Sequence, residues 1–266
     1  MSARPVTVVT GGSRGIGAAT CLRLASDGHD LALGYTRDAA AAEAVAERVR
    51  AVGARCVTVR GDVSQECAVE RLFDIAGAEL GRVTGLVNNA GVTGPLGRLA
   101  DARTEDLRRV VEVNLLGYLL CCRRAARDMA EADGGAIVNV SSTAATLGSP
   151  GEYVHYAATK AAVDALTVGL AKELGPDGVR VDPTPLAENQ HEQQQRDGGE
   201  AGACERLRHT LIVRRGRRRG HRSRAWGQRR AGWRDRDGQG NPQKAQVRIA
   251  RERAARPRPL PRSPPA

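Results

Sequence analysis

The sequence lacks several features that define common classes of protein. No window approaches the ~20 consecutive apolar residues of a membrane-spanning helix. No basic segment leads into a long apolar run at the N-terminus, where residues 5–9 already have the pattern of a strand, so we expect no signal peptide. The six cysteines show no metal-ligand spacing, and we expect the adjacent Cys121 and Cys122 to be small buried hydrophobes on a helix. These features favour a cytoplasmic protein without a metal site.

The net charge of +11 is distributed unevenly along the 266 residues. Residues 1–181 contain 20 basic and 21 acidic side chains, whereas residues 182–266 contain 21 basic and 9 acidic ones. The second part also holds 20 arginines and 8 of the 12 prolines, but only 8 residues of the types Val, Ile, Leu, Met and Phe. So few apolar side chains cannot form a core. We therefore expect a folded domain over residues 1–181 and a disordered basic tail over residues 182–266.

Strand-like and helix-like segments alternate through the first 181 residues. The predicted strands are 6–10, 30–35, 55–60, 83–87, 136–140 and 179–181, and the predicted helices are 15–27, 39–51, 64–80, 104–131 and 151–174. We expect Ser64 to cap the third helix. The alternation predicts an α/β fold, a doubly wound parallel sheet of the Rossmann type with helices on both faces. Such sheets bind ligands at the carboxyl ends of their strands.

Tyr156 and Lys160 are spaced to share one face of the last predicted helix. A nearby cation lowers the pKa of a phenol, which is ordinarily about 10, so the pair could act as a general acid or base near neutral pH. Ser142 follows a predicted strand, and its hydroxyl could face the same site. The spacing Tyr-x-x-x-Lys is a weak signal by itself, because most helical tyrosines are packing residues.

A glycine-rich segment, Thr-Gly-Gly-Ser-Arg-Gly-Ile-Gly, joins the first strand directly to the first helix. Glycines allow a tight turn and let the backbone approach a pyrophosphate, and the N-terminus of a helix favours negative charge. The strand–turn–helix context distinguishes this segment from an ordinary glycine turn. The candidate cofactor contacts in the segment are Gly11, Ser13, Arg14, Gly15, Ile16 and Gly17.

With these motifs in order, the chain resembles the short-chain dehydrogenase/reductase family over about residues 5–181. The glycine spacing matches that family rather than the usual Rossmann fingerprint, and an Asn-Asn-Ala-Gly segment follows the fourth strand. The resemblance implies a catalytic set of Asn114, Ser142, Tyr156 and Lys160. It implies further cofactor contacts from Asp62, Val63, Asn89, Ala90, Gly91, Tyr156 and Lys160.

The resemblance also implies a role for each of these groups. Tyr156 exchanges a proton with the substrate oxygen, and Ser142 hydrogen-bonds and orients that oxygen. Lys160 lowers the tyrosine pKa and holds the nicotinamide ribose, while Asn114 anchors a water that links Lys160 to solvent. Asp62 contacts adenine. Hydride moves between nicotinamide and a carbonyl or secondary alcohol carbon of a small molecule, and family members are usually homodimers or homotetramers.

The choice of nicotinamide cofactor depends on charge at the end of the second strand. A carboxylate there would bind the adenosine ribose hydroxyls and repel a 2′-phosphate. None occurs before Asp38, which we place in the next turn, whereas Arg14 and Arg37 could hold a 2′-phosphate. The sequence therefore favours NADP(H) over NAD(H). The alternative is that Arg37 is a solvated surface charge.

The resemblance ends after the sixth strand, where Pro-Thr-Pro stands in place of the family's Pro-Gly turn. Three explanations of residues 182–266 remain open. The segment is a basic arm that binds nucleic acid through arginines, Trp226 and Trp233, an inert solvated extension, or an out-of-frame translation of a GC-rich gene, which we favour. The last would remove the seventh strand and most of the sixth, leave the fifth strand poorly paired, and delete the substrate-covering loop.

The alternative function follows from the first of these explanations. It is a catalytically impaired nucleotide-binding protein whose basic tail binds nucleic acid non-specifically.

Overall fold

The computed structural model describes residues 4–131 and 134–184. Its strands are β1 (Val6–Thr10), β2 (Asp30–Tyr35), β3 (Cys56–Arg60), β4 (Val83–Asn88), β5 (Gly135–Val140) and β6 (Val179–Thr184). Its helices are α1 (Gly15–Ser26), α2 (Ala39–Ala51), α3 (Glu66–Leu80), α4 (Thr104–Val111), α5 (Gly117–Ala130), α6 (Ala144–Leu147) and α7 (Val154–Leu174).

The six strands form one parallel sheet in the order β3-β2-β1-β4-β5-β6. Side chains alternate across the sheet, so Val8 packs in the apolar cluster formed with α3, α5 and α7, whereas Val9 packs in the cluster formed with α1 and α2. The predicted parallel α/β fold with helices on both faces is confirmed. The strand order reverses between β1 and β4, and the crevice at such a point is the usual ligand site.

Strand β6 is longer than the predicted strand over residues 179–181. It pairs with β5 from Gly135↔Val179 to Val140↔Thr184, so the expectations that most of the sixth strand is lost and that β5 is poorly paired are wrong. Val179 and Val181 are buried against the core, and this burial holds the strand in register with β5. Whether a seventh strand is missing, and whether the basic tail is disordered, concerns residues 185–266, which lie outside the described residues.

The third helix begins later than predicted, and Ser64 is not its cap. Helix α3 starts at Glu66, and Gln65 occupies the cap position without a side-chain hydrogen bond. The hydroxyl of Ser64 donates instead to the carboxylate of Asp62 at 2.8 Å and accepts a hydrogen bond from Arg109 at 3.1 Å. Because the hydroxyl bonds to these two partners, it stabilises the loop after β3 and does not cap the helix.

The predicted helix over residues 104–131 consists of α4 and α5 joined by a π-helical turn, Glu112–Leu116. Single π-turns within α-helices occur frequently at functional sites, and this one contains Asn114. The last helix, predicted from Gly151, begins at Val154, because Gly151 has a φ of 78° that α-helical backbone does not adopt.

Three findings concern the cysteines, membrane-spanning helices and metal sites discussed under the sequence. Cys121 and Cys122 are buried in α5, as predicted, and burial raises the pKa of Cys122 to about 12. Over residues 4–131 and 134–184, no helix has the length and apolar character needed to cross a membrane. In that same part of the chain, no three His, Cys, Asp or Glu side chains are grouped so as to hold a metal ion.

Candidate active site

The glycine-rich loop between β1 and α1 turns tightly at the carboxyl edge of the sheet. Gly11 and Gly15 have φ values of 64° and 52°, a region that glycine enters without steric cost. A β-carbon at Gly17 would lie 2.2 Å from the Gly11 carbonyl oxygen, so only glycine lets α1 approach the loop this closely. The backbone N–H of Gly12 donates to the Gly34 carbonyl at 3.0 Å, which ties the loop to β2.

The N-terminus of α1 has the character of a phosphate site. Arg14 at the cap position makes no side-chain capping bond, and no acidic residue lies in the first turn. A β-carbon at Gly15 would meet no atom within 4 Å, so the backbone of this turn is open to a ligand. Free N–H groups and the helix dipole together favour an anion here. Ser13 is half-buried, and the Ile16 side chain packs against the core, which leaves only its backbone facing the turn.

The segment that follows β4 is bonded to the glycine loop. The Asn89 side-chain amide donates to the carbonyls of Thr10 at 3.0 Å and Gly11 at 3.1 Å. The backbone N–H groups of Asn89 and Ala90 both donate to the Thr10 hydroxyl, at 3.0 and 3.1 Å. The Asn89 amide therefore shapes the loop.

Asp62 and Val63 lie in the loop after β3. The Asp62 carboxylate pairs with Arg109 of α4 at 2.7 Å and accepts the Ser64 backbone N–H at 3.0 Å. Burial raises the pKa of Asp62, but the hydrogen bonds from Ser64 and Arg109 outweigh this effect, and the pKa is lowered. Val63 packs against the start of α5, where a β-carbon at Gly117 would lie 2.8 Å from a Val63 methyl.

The end of β2 carries positive charge without a competing carboxylate. Arg14 and Arg37 are exposed, and among residues 4–131 and 134–184 no acidic side chain pairs with either guanidinium. Asp38 lies in the turn before α2, as predicted. Its carboxylate accepts the Ala41 backbone N–H at 2.8 Å and so caps that helix.

Tyr156 lies in the first turn of α7, beside the loop that follows β5. It is 6% exposed, and the Ser142 hydroxyl from that loop lies near enough to affect its pKa. The Ser142 hydroxyl also accepts the Ala144 backbone N–H at 3.2 Å, which fixes its direction. The Tyr153 ring packs edge-on against Tyr156, with 5.4 Å between ring centroids. Ser142 and Tyr156 are thus held together by an ordered backbone and a packed aromatic wall.

The pKa of Tyr156 corrects one expectation from the sequence. Burial raises this pKa, and the neighbouring Ser142 hydroxyl opposes that effect without overcoming it. Lys160 does not lower it, because its own pKa is about 7 and the amine is uncharged at the pH where the phenol titrates. Its Nζ donates to the Val140 carbonyl at 2.6 Å and to the Tyr118 hydroxyl at 3.1 Å. Its distance to the Tyr156 ring centroid is 5.8 Å.

Lys160 itself is almost completely enclosed. It is 3% exposed, and burial lowers its pKa to about 7, with a smaller opposing effect from Asp164. Lys160 therefore changes charge near neutral pH, which an exposed lysine does not do.

Asn114 is fully buried in the π-helical turn and is bonded at both ends of its amide. It accepts the Val92 N–H at 2.9 Å and donates to the Val92 carbonyl at 2.8 Å and to Thr159 at 3.3 Å. A β-carbon at Gly91 would lie 3.4 Å from Asn114 Oδ1 and 4.0 Å from Lys160 Nζ. The absence of a side chain at Gly91 therefore leaves open the space that Asn114 and Lys160 both border.

Sequence reasoning missed three residues of this region. Tyr118 contacts Lys160, and its position four residues after Asn114 on one helix was the available signal. Thr10 receives two N–H groups from the β4 loop, and its place at the start of the glycine-rich segment was the available signal. Arg109 pairs with Asp62 and belongs to no local pattern.

A glycine loop at a helix N-terminus, a neighbouring Ser142 and Tyr156 and a buried lysine are the features of a nucleotide-dependent oxidoreductase of the doubly wound class. Comparison with known proteins gives the family. The chain belongs to the short chain dehydrogenase family, whose model matches residues 5–186, and it is an oxidoreductase.

Individual relatives agree with this assignment. The oxidoreductase YgfF of Escherichia coli (strain K12) is 40% identical over 217 residues, covering 79% of this chain and 86% of YgfF. The aligned part of this chain, 79% of its 266 residues, is longer than the first 181 residues, so the alignment continues past Val181. A dehydrogenase/reductase from Sinorhizobium meliloti 1021 superposes with a TM-score of 0.71 at 32% identity, covering 77% of this chain and 87% of that one. An NAD+-bound xylitol dehydrogenase gives a TM-score of 0.67 at 31% identity, covering 72% and 74%.

Proposed function

We propose that this chain transfers hydride between NADP(H) and the carbonyl or secondary alcohol of a small molecule, with Tyr156 giving or taking the proton. The observation that carries the proposal is the proximity of Ser142 and Tyr156, two buried residues whose hydroxyls lie near enough for the serine to affect the tyrosine pKa. Two hydroxyls so arranged can contact one substrate oxygen, because each still has bonding capacity toward the crevice.

The residues present fit a dinucleotide. The uncapped N-terminus of α1 suits the pyrophosphate, and the open backbone at Gly15 allows its close approach. In this proposal Asp62 and Val63 would contact the adenine, and Lys160 would hold the nicotinamide ribose. When bound, the nicotinamide supplies or accepts the hydride.

We assign the preference for NADP(H) to Arg14 and Arg37. Both guanidinium groups lack acidic partners in the described part of the chain, so they can pair with a 2′-phosphate. Asp38 caps α2 through its carboxylate and is therefore directed away from a ribose-binding role. The similar xylitol dehydrogenase was solved with NAD+, so the two cofactors must be compared directly.

The raised pKa of Tyr156 gives it a protonated phenol throughout the neutral range, ready to donate to a carbonyl oxygen. Ser142 orients that oxygen. Lys160 and Asn114 border the space beside Gly91, which suits a water that returns protons from solvent. In the opposite direction the same groups take a proton from an alcohol.

The experiment compares Tyr156→Phe with the unaltered chain on a panel of ketones, following loss of NADPH absorbance. Removing the phenol hydroxyl keeps the ring in place, and we expect turnover to fall by about 10²–10⁴-fold while NADPH still binds. Tyr153→Phe is the matched control, because Tyr153 packs on Tyr156 without bonding to Ser142, and we expect a far smaller loss. Full turnover in Tyr156→Phe would contradict the proposal.

The alternative, an impaired nucleotide-binding protein with a nucleic-acid-binding tail, depends on residues 185–266. These lie outside the described residues, so the alternative stays a hypothesis from the sequence.

A further inference from the structure

A second tyrosine contacts the head group of Lys160. The Tyr118 hydroxyl lies 3.1 Å from Nζ, and Nζ lies 4.9 Å from the centroid of the Tyr118 ring. Tyr118 is 1% exposed and donates its own proton to the Val140 carbonyl at 3.1 Å, the carbonyl that Lys160 also contacts. Because that proton is committed to Val140, the phenol oxygen presents a lone pair to the ammonium.

Because the Lys160 ammonium is buried, this lone pair affects how easily the amine keeps its charge. An ammonium taken out of water is costly unless hydrogen bonds and opposite charge compensate it. The groups that face Lys160 are Asp164 and Tyr156 on its own helix, Tyr118 from α5 and the Val140 carbonyl from β5. Tyr118 contributes both an acceptor and an aromatic face, and each favours the charged form of the lysine.

We infer that Tyr118 is a positioning residue, which keeps the Lys160 ammonium charged and fixed beside Tyr156. Asn114 and Tyr118 are four residues apart on the helix built from the π-turn and α5, and both bond to α7, Asn114 to Thr159 and Tyr118 to Lys160. The catalytic meaning of this role depends on the proposed function, whereas the contact with Lys160 can be tested without any substrate.

The sequence makes that test selective, because the chain contains only three lysines, Lys160, Lys172 and Lys244. Lysine labelled with ¹³C at the ε-carbon gives three NMR signals, and the one lost in Lys160→Met is that of Lys160. Its chemical shift, followed against pH, reports the charge of the amine. We expect a midpoint near 7 in the unaltered chain.

In Tyr118→Phe the ring stays and the acceptor is lost, so we expect the midpoint to move down by about one pH unit. Tyr153→Phe removes a hydroxyl from a tyrosine that does not contact Lys160, and we expect it to leave the midpoint in place. An unchanged midpoint in folded Tyr118→Phe overturns the inference.

A second measurement covers the case in which Tyr118→Phe does not fold. Incorporation of 3-fluorotyrosine in a Tyr156→Phe background weakens the Tyr118 oxygen as an acceptor with almost no change of volume. We expect the Lys160 midpoint to move in the same direction, and no movement overturns the inference.

The pH dependence of the activity is an independent test, because a purely structural role of Tyr118 would not move it. The pH dependence of kcat/KM reports the free enzyme, so its alkaline limb should move down in Tyr118→Phe together with the NMR midpoint. A fall in kcat/KM at every pH with an unmoved limb contradicts the inference. If the unaltered chain turns over no ketone, the proposed function fails, and the NMR titration still decides the role of Tyr118.

Discussion

Replacing Lys160 by Met should stabilise the free protein even as it removes a group needed for the proposed reaction. Lys160 is 3% exposed, and its ammonium receives two uncharged partners, the Val140 carbonyl and the Tyr118 hydroxyl. Burial of the charge costs more than these contacts return, and that imbalance is why its pKa is lowered. Met keeps most of the side-chain volume and has no charge to desolvate.

The size of this stabilisation follows from the pKa values of Lys160 in the unfolded and in the folded protein. A change from 10.5 to about 7 corresponds to about 5 kcal/mol at most, at ~1.4 kcal/mol for each pH unit. Structural relaxation in the folded state and lost hydrogen bonds reduce this, so we expect a gain of about 2–4 kcal/mol in the free energy of unfolding.

The gain should depend on pH in one direction. Between pH 7 and 10.5 only the unfolded state binds the proton of Lys160, so the stability of the unaltered chain rises with pH across this window. Below it both states are charged and the cost of burial is fully present. The advantage of Met is therefore complete below pH 7 and disappears as the pH approaches 10.5.

Urea denaturation of both chains at about pH 6 and about pH 9.5 measures this difference. Lys172→Met is the matched control, because Lys172 is exposed on the same helix, and it should change stability little at either pH. A Lys160→Met chain that is less stable than the unaltered one near pH 6, or a gain that is independent of pH, would refute the reasoning.

Three further predictions concern cofactor choice, the space beside Gly91 and the acid form of Tyr156. Arg37→Glu should weaken NADPH binding by about 10–100-fold and NADH binding much less, since a carboxylate repels the 2′-phosphate; fluorescence titration measures both, and an unchanged preference would count against Arg37. Gly91→Ala places a β-carbon 3.4 Å from Asn114 Oδ1 without a clash, so turnover should fall while the thermal midpoint is kept; equal turnover would argue against the proton path. Ketone reduction should not decline through loss of the Tyr156 proton until the pH exceeds 10.0, since this pKa is raised; a decline near neutral pH whose midpoint does not follow that of Lys160 in Tyr118→Phe would contradict this.

Local pattern was sufficient for much of the fold. Strand β2 and helix α2 have the predicted bounds, because a short, mostly apolar run fills one and an alanine-rich amphipathic repeat fills the other. The glycine loop was found because its chemistry is contained in eight consecutive residues. Helix starts were less predictable. Ser64 has the residue type of a cap, but its hydroxyl is engaged by Asp62 and Arg109.

The interior of the site could not be predicted from local sequence, because it depends on contacts between distant segments. Asn89 bonds to Thr10, 79 residues away, and only the strand order brings them together. The same holds for Lys160, whose partner Tyr118 lies 42 residues earlier. Spacing alone predicts the ammonium against Tyr156, whereas in the fold Nζ donates to the Val140 carbonyl.

Transfer of deuterium from NADPH labelled at both C4 positions of the nicotinamide tests the central claim most directly. The chain is incubated with labelled NADPH and a panel of ketones, and mass spectrometry measures the deuterium content of the alcohols formed. We predict an alcohol that carries one deuterium on its carbinol carbon, formed by the unaltered chain and nearly absent with Tyr156→Phe. A chain that binds NADPH yet forms no deuterated alcohol, or forms it equally well without the Tyr156 hydroxyl, would contradict it.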